Sequence, residues 1–393
     1  MINQVRIHPM VKSYGVFFLM ALMLGMPCQM ACHGGEESHS RFHTWIESIR
    51  SVGKEGQGNE NASRAFQRLS EASIPAVLPI LEGMKGASPL AQNWLRSVVE
   101  GIAHQCKQNG EMLPSMQLTE FLLNVSHGPR ARAFAFELIQ EIDSEVAEVL
   151  LRGMLNDPSN ELRRQAVEQW IQLGISAQSN EKTFRAMVIL RQALEHARDV
   201  LQIQKLSDAL EKNGHLVDIP ALLGFITHWN VIGPFHNLEG DGFDTSFPPE
   251  NEMELKHSYD GKLGEVRWKS FSTEDRLGMV DINQAYKGYL KEVTAYAHHT
   301  FISETARPVQ LRLGCKNAWK VWLNGELLFG RDEYHRGAKI DQYVMNAVMK
   351  AGRNEILVKL CQNEQLEDWT IEWEFQLRVC DKTGKAIHSH VRQ

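Results

Sequence analysis

The chain is poor in the features that mark several functional classes. Six cysteines in 393 residues are too few for a disulfide framework. Basic residues are not in excess: 42 Lys and Arg against 48 Asp and Glu leave a net charge of -6. Nucleic-acid binding needs a basic face, so it is disfavoured as a main function. No low-complexity tract is present, which excludes extensive disorder. There is no Gly-x-Ser-x-Gly elbow, His-Glu-x-x-His, P-loop or Cys-x-x-Cys zinc knuckle. Missing motifs do not exclude catalysis, but no reaction is identified. What is there is ordinary globular material, 43% hydrophobic and 23% charged, in a length that allows about two to three domains.

The first residues read as a targeting segment. Arg6 and Lys12 precede an uncharged run from Tyr14 to Met26, too short to span a bilayer comfortably, with small residues just after it. That order is a secretory signal over residues 1–32, with cleavage near Ala31, and predicts an exported protein of the periplasm or cell surface. Cys28 and Cys32 also raise a lipid anchor, although Gly25-Met26-Pro27 and Gln29-Met30-Ala31 match a lipobox badly. The Cys28-to-Cys32-His33 stretch is one residue too long for haem attachment and reads as coincidence at a processing site. Any bridge among the remaining cysteines would join two of Cys315, Cys361 and Cys380, with Cys361 and Cys380 favoured because they end successive strands. Buried free thiols fit equally well.

Residues 40–216 carry a helical rhythm. Leu162, Ala166, Trp170 and Leu173 form one apolar stripe, and Asn156-Asp-Pro-Ser-Asn160 before them supplies turn and cap residues. Blocks opening at Pro89 and Pro129 superpose at an offset of 40 residues, and Ala135 with Ala166 at 31. Asp157-Pro followed by Leu-Arg-Arg and Ala-Val resembles a HEAT-type helix pair. That resemblance implies a stacked α-solenoid whose surface binds a protein partner or serves as a rigid spacer. Arg163 and Arg164 either face that partner or lie on a solvated helix face.

The rhythm changes near Gly224, and residues 224–390 alternate with period two. Trp369 to Val379 does so over six repeats, Val309, Leu311 and Leu313 over three, and Ile356 to Cys361 is apolar enough to be covered on both faces. Asn324-Gly325 is a two-residue hairpin signal. Short strands without intervening helices predict an antiparallel sandwich or jelly roll. Val321-Trp-Leu-Asn-Gly-Glu326, Asp341 and Lys350-Ala-Gly-Arg-Asn-Glu-Ile-Leu-Val358 resemble the galactose-binding-like jelly roll. Trp229-Asn-Val-Ile-Gly-Pro-Phe235, Gly242 to Glu250, Asp332 to Arg336 and Val358 to Asn363 resemble a group of exported bacterial HEAT-repeat proteins that join the helical region to this module. The resemblance implies an architecture and no assigned activity. The expected fold is thus α+β and multidomain, a HEAT-like α-solenoid followed by an antiparallel galactose-binding-like β-sandwich.

Candidate sites are few. Asp241, Asp244 and Glu250 lie on a Gly-rich loop and are oxygen ligands of the kind Ca²⁺ takes, or simply polar positions around Phe243 and Phe247. No other cofactor is expected. Tyr334, His335 and Arg336, with Asp332 and Asp341, form the densest polar cluster. A sugar needs an aromatic platform and bidentate partners, so Tyr334, His335, Arg336 and Asp341 are candidate carbohydrate contacts, joined by Trp322, which is out of phase with Val321 and Leu323. Glu364, Glu367 and Asp368 read as a charged turn rather than paired catalytic carboxylates. His298 and His299 point to opposite faces of a strand and cannot easily share a metal ion, and His388 with His390 is weak evidence for one. The expected function is a non-catalytic binding or scaffold protein, its solenoid contacting protein and its sandwich carbohydrate. The alternative is a glycan-processing enzyme or an accessory subunit of one.

Overall fold

The computed structural model describes residues 34–179, 183–286 and 288–390, and both the expected signal segment and its cysteines lie outside the described residues. No helix among the described residues is long and apolar enough to cross a membrane. The chain is a mixed α+β protein in which helices come first and antiparallel sheets follow.

The helices of the first half are α1 (Gly34–Arg50), α2 (Asn59–Ala72), α3 (Val77–Gly83), α4 (Pro89–Asn109), α5 (Ser115–Leu123), α6 (Pro129–Ile142), α7 (Ser144–Arg152), α8 (Asn160–Ser179), α9 (Thr183–His196), α10 (Val200–Glu211) and α11 (Ile219–Leu223), and two short ones, α12 (Pro248–Asn251) and α13 (Ile282–Tyr286), stand among the strands where none was expected. Pro89 and Pro129, the residues matched at the 40-residue offset, both open a helix in its first turn, where a missing N–H costs nothing. Loops are short, and one continuous core runs from Ile46 to Leu223. The helices continue past residue 216 because Asp218 caps α11 and accepts the Ala221 N–H at 2.9 Å; five residues are too few to show a period. The apolar stripe of α8 is rotated from the expected one. Leu162 and Ala166 are buried, but Val167 and Ile171 complete the face, and Leu173 is exposed.

Gly224 ends α11 with φ +77, and a Cβ there would meet the Val379 carbonyl oxygen at 2.8 Å. Only glycine satisfies both the left-handed backbone and this approach of the last strand. The strands follow as β1 (His228–His236), β2 (Ser258–Gly261), β3 (Gly264–Arg267), β4 (Lys269–Ser272), β5 (Val280–Asp281), β6 (Val293–Ser303), β7 (Arg307–Cys315), β8 (Ala318–Leu323), β9 (Glu326–Arg331), β10 (Tyr343–Met349), β11 (Gly352–Gln362) and β12 (Glu374–Cys380). Six of them form one sheet in the order β4-β1-β6-β11-β8-β9, and four another in the order β10-β7-β12-β5. Val231, Ala297, Val358 and Val321 of the first share a core with Leu311, Leu313, Phe375 and Leu377 of the second. The outer face of the larger sheet is covered as well. Ile232, Tyr296, Trp322 and Leu357 pack under Phe247, Met253, Tyr259 and Trp268. β11 is therefore buried on both faces, as its composition predicts.

The last strand is shorter than its alternation suggests. Asp368–Thr370 is a 3₁₀ turn, and pairing begins only at Glu374. Buried Thr370 sets this turn by donating its hydroxyl to the Gln365 and Glu367 carbonyls at 2.9 and 2.7 Å. Trp369, expected on the core face, is turned out to solvent and is 63% exposed. The four cysteines in the described residues are all free and buried. Burial pushes the Cys361 thiol up to about 11 and Cys315 to about 12.

Candidate functional site

The expected carbohydrate contacts do not converge. Trp322 is 8% exposed, because the outer face it points to carries its own cover. It forms the floor of a cavity of about 230 Å³ beside Pro249, Met253 and Leu357. Asp341 is on other business: it receives Arg378 Nε and Nη2 at 2.7 and 2.5 Å and Arg312 Nη1 at 2.6 Å. Burial pushes its carboxyl up, but the two guanidinium groups outweigh that and hold it below the ordinary carboxylate range. Arg336 is exposed, with Glu333 at 3.8 Å.

Tyr334 and His335 do meet a third aromatic. The His335 ring stands edge-on to Trp369 at 5.3 Å between centroids, and Tyr334 lies next to it at 6.1 Å. His335 adopts φ +57 and pairs its Nε2 with Asn363 Oδ1 at 3.0 Å, which fixes the ring. The Tyr334 hydroxyl accepts from Asn237 Nδ2 at 3.1 Å, and burial raises its pKa. Beneath them runs a buried amide network. Asn237 donates to the Gln362 carbonyl at 2.9 Å, Asn317 to Gln362 Oε1 at 3.0 Å, and Gln362 Nε2 to the Thr370 carbonyl at 3.0 Å. The network's amide donors are all engaged, while Asn237 Oδ1 is buried without a hydrogen-bond partner among the described residues. The result is an exposed indole, braced from below and from one side, with the exposed carboxylates Glu364, Glu367 and Asp368 in the same loop. Sequence reasoning missed Trp369 because it falls in phase with the strand. The signal that marks it is the Gln365-to-Thr370 stretch, where acidic residues interrupt the apolar face.

Asp241, Asp244 and Glu250 are not gathered into one cluster of side-chain ligands. Asp241 is exposed, and Asp244 accepts from Lys320 Nζ at 3.2 Å while its side chain stays largely in solvent. Glu250 is held by Tyr296 Oη and by Lys359 Nζ, the latter at 2.8 Å. No group of three His, Cys, Asp or Glu residues among the described residues is placed to hold a metal ion. His298 and His299 part as the pleat requires: His298 Nε2 pairs with Glu355 at 2.5 Å, His299 Nδ1 with the His228 carbonyl at 2.9 Å.

A second concavity, of about 700 Å³, lies where the helices meet the sheets. Arg163, Arg164 and Arg198 line it from the helical side, Arg312, Lys339 and Asp341 from the strand side.

No family model matches the chain, and no curated protein does. Among solved structures, a β-glucosidase from Kluyveromyces marxianus in complex with glucose aligns at 15% identity and TM-score 0.19, over 24% of this chain and 11% of that one. A GH31 α-xylosidase from Xanthomonas citri aligns at 9% identity and TM-score 0.20, over 39% and 17%. A GH26-CBM35 β-(1,4)-mannanase from Podospora anserina aligns at 12% identity and TM-score 0.15, over 24% and 23%. The chain thus spans less than a quarter of each neighbour's length. The names describe those enzymes, and at TM-scores of this size the likeness carries no inference about this chain.

Proposed function

We propose that the protein is an exported, non-catalytic binding or scaffold protein whose strand-rich half engages carbohydrate on the Trp369 surface. In this reading residues 40–216 are a HEAT-like α-solenoid that contacts a protein partner, and residues 224–390 a galactose-binding-like β-sandwich. The observation that supports it is the exposed Trp369 indole, braced edge-on by His335 over a buried amide network. The apolar face of a pyranose fits a flat indole, and this indole is held in one place rather than free to turn. His335 and Arg336, with Glu364 and Glu367, supply donors and acceptors for the hydroxyl rim. Burial of the hydroxyl-bearing end of Tyr334 leaves its role as support, so the platform is Trp369.

The test is a glycan array on the full chain, read alongside intrinsic tryptophan fluorescence. At least one neutral or acidic glycan is expected to bind. Trp369→Ala is expected to weaken it about fivefold or more, corresponding to the ~1–3 kcal/mol that a stacked aromatic ring contributes to recognition. Because Trp369 is exposed, its loss should leave the thermal midpoint within about 1 °C. Binding to no glycan, or equal binding by Trp369→Ala, sinks the reading.

A further inference from the structure

The cleft between helices and sheets carries an excess of positive charge. Five cations, Arg163, Arg164, Arg198, Arg312 and Lys339, face two carboxylates, Asp199 and Asp341. Both carboxylates are taken: Asp199 by Arg164 at 3.1 Å, Asp341 by Arg312 and Arg378. Arg163 is 6% exposed and spends its donors on neutral groups, the Asp157 carbonyl at 2.7 Å, Asn160 Oδ1 at 2.5 Å and the Thr383 carbonyl at 3.2 Å. Arg198 hydrogen-bonds only the nearby Glu195 and Ala197 carbonyls, at 2.9 and 2.6 Å. Neither guanidinium has a carboxylate oxygen within 4 Å among the described residues. The charge of Asp381 acts on both and that of Asp157 on Arg163, but neither pairs with them directly: Asp381 accepts from Thr383 and Lys385, and Asp157 from Arg132.

A guanidinium taken out of water without a counter-charge is expensive. Burial lowers the pKa of both, and for Arg198 the like charge of Arg163 adds to it. The amino end of α8 opens on the same wall at Asn160 and adds its partial positive charge. The rest of the lining is mixed: Leu201, Leu277 and Ile340 form its apolar part, and Asn160, His196, Gln202, Gln204 and Thr383 its neutral polar part. The volume lies in the range of sites that take small organic ligands.

We propose that this cleft binds a small organic oxyanion, with a carboxylate or phosphate head on Arg163, Arg198 and Lys339 and an apolar body against Leu201, Leu277 and Ile340. The site is separate from the Trp369 surface and does not depend on it. Planar guanidinium groups pair with either head in two-point fashion, so the head is a matter for experiment.

The full chain is titrated with inorganic phosphate and with acetate, each against sodium chloride at equal ionic strength, and followed by thermal shift and calorimetry. Either oxyanion is expected to raise the midpoint above the chloride control. A response to phosphate identifies a phosphoryl-type head, a response to acetate a carboxylate. Arg198→Gln is expected to weaken binding at least tenfold. Lys339→Gln, an exposed position that cannot endanger folding, is expected to weaken it several-fold. Trp369→Ala should bind unchanged. No stabilisation beyond chloride by either anion, or full affinity in both Arg198→Gln and Lys339→Gln, overturns the proposal.

Discussion

Arg378 shows how much one residue can organise. Its side chain is 1% exposed, yet all three nitrogens donate: Nε and Nη2 to Asp341, and Nη1 to the Leu223 carbonyl at 3.1 Å and the Gly384 carbonyl at 3.2 Å. The Leu223 carbonyl is one of those that the end of α11 leaves without a helical partner, so the pair caps a helix while it anchors a strand. Asp341→Asn would strand the buried guanidinium, at a cost of about 3–5 kcal/mol. The pH dependence has a definite sign. A carboxyl held below its unfolded value contributes stability above the ordinary carboxylate range, and that stability is lost as pH falls through the lower folded value. Denaturant unfolding of the wild type should therefore weaken more steeply below about pH 4 than that of Asp341→Asn. Parallel pH profiles for the two proteins would refute this role. Neither partner could be assigned from sequence. Asp341 was noticed as a loop acid beside Arg336, but its partners are Arg312 and Arg378, brought up by neighbouring strands of one sheet.

At the scale of elements, local chemistry decided what could be read. Asn324-Gly325 demands positive φ twice, and the turn supplies +54 and +83 between β8 and β9. Asn324 also donates to Asn354 Oδ1 and accepts the Glu355 N–H, each at 3.0 Å, which ties this hairpin to the start of β11. Gly325→Val meets no neighbour, so its cost is backbone strain alone, about 1–2 kcal/mol by chemical denaturation. No measurable loss would mean that the turn relaxes. The hairpin, the two-sided burial of β11 and the helix-to-strand change were legible because each depends on neighbours in the chain. Trp369 and Trp322 were not. Trp369 alternates correctly, and it is the bonds of Thr370, to Gln365 and Glu367 nearby and to Lys291 and Gln362 farther off, that take it out of the strand. Trp322 points away from the shared core as its phase requires, but the cover from Phe247 to Trp268 arrives from a loop whose path no period records. Lys359 is a third such case. It stands in an apolar run, fully buried, and donates to the Phe243 and Thr245 carbonyls at 3.0 and 2.7 Å and to Glu250, clasping that same loop to the sheet.

For the whole molecule, the question is how the helical core and the sheet core communicate. They are separate clusters, and most of what joins them is polar. Arg276 reaches Ser207, Asp208 and Glu211 of α10 at 3.0, 2.9 and 3.1 Å, and Arg163 reaches Thr383. The Arg276 side chain is half exposed, so its ion pairs are screened and contribute at most about 1 kcal/mol. Leu277 and Ile340 differ, since both leave the strand-rich half and pack on the helical core. Two apolar side chains of that size contribute several kcal/mol, roughly 1.5–3 kcal/mol each if fully buried, which is enough to couple two units that would otherwise melt independently. Calorimetry should therefore give one dominant transition for the wild type, and Arg276→Ala should shift it only slightly. Leu277→Asp places an unpaired charge in the seam and should resolve the transition into two, with the helical part and the sheets melting apart. The same residue forms one wall of the cationic cleft, so the variant that uncouples the cores should also lose the oxyanion response. A single unshifted endotherm for Leu277→Asp would place the coupling of the two cores elsewhere than at this residue.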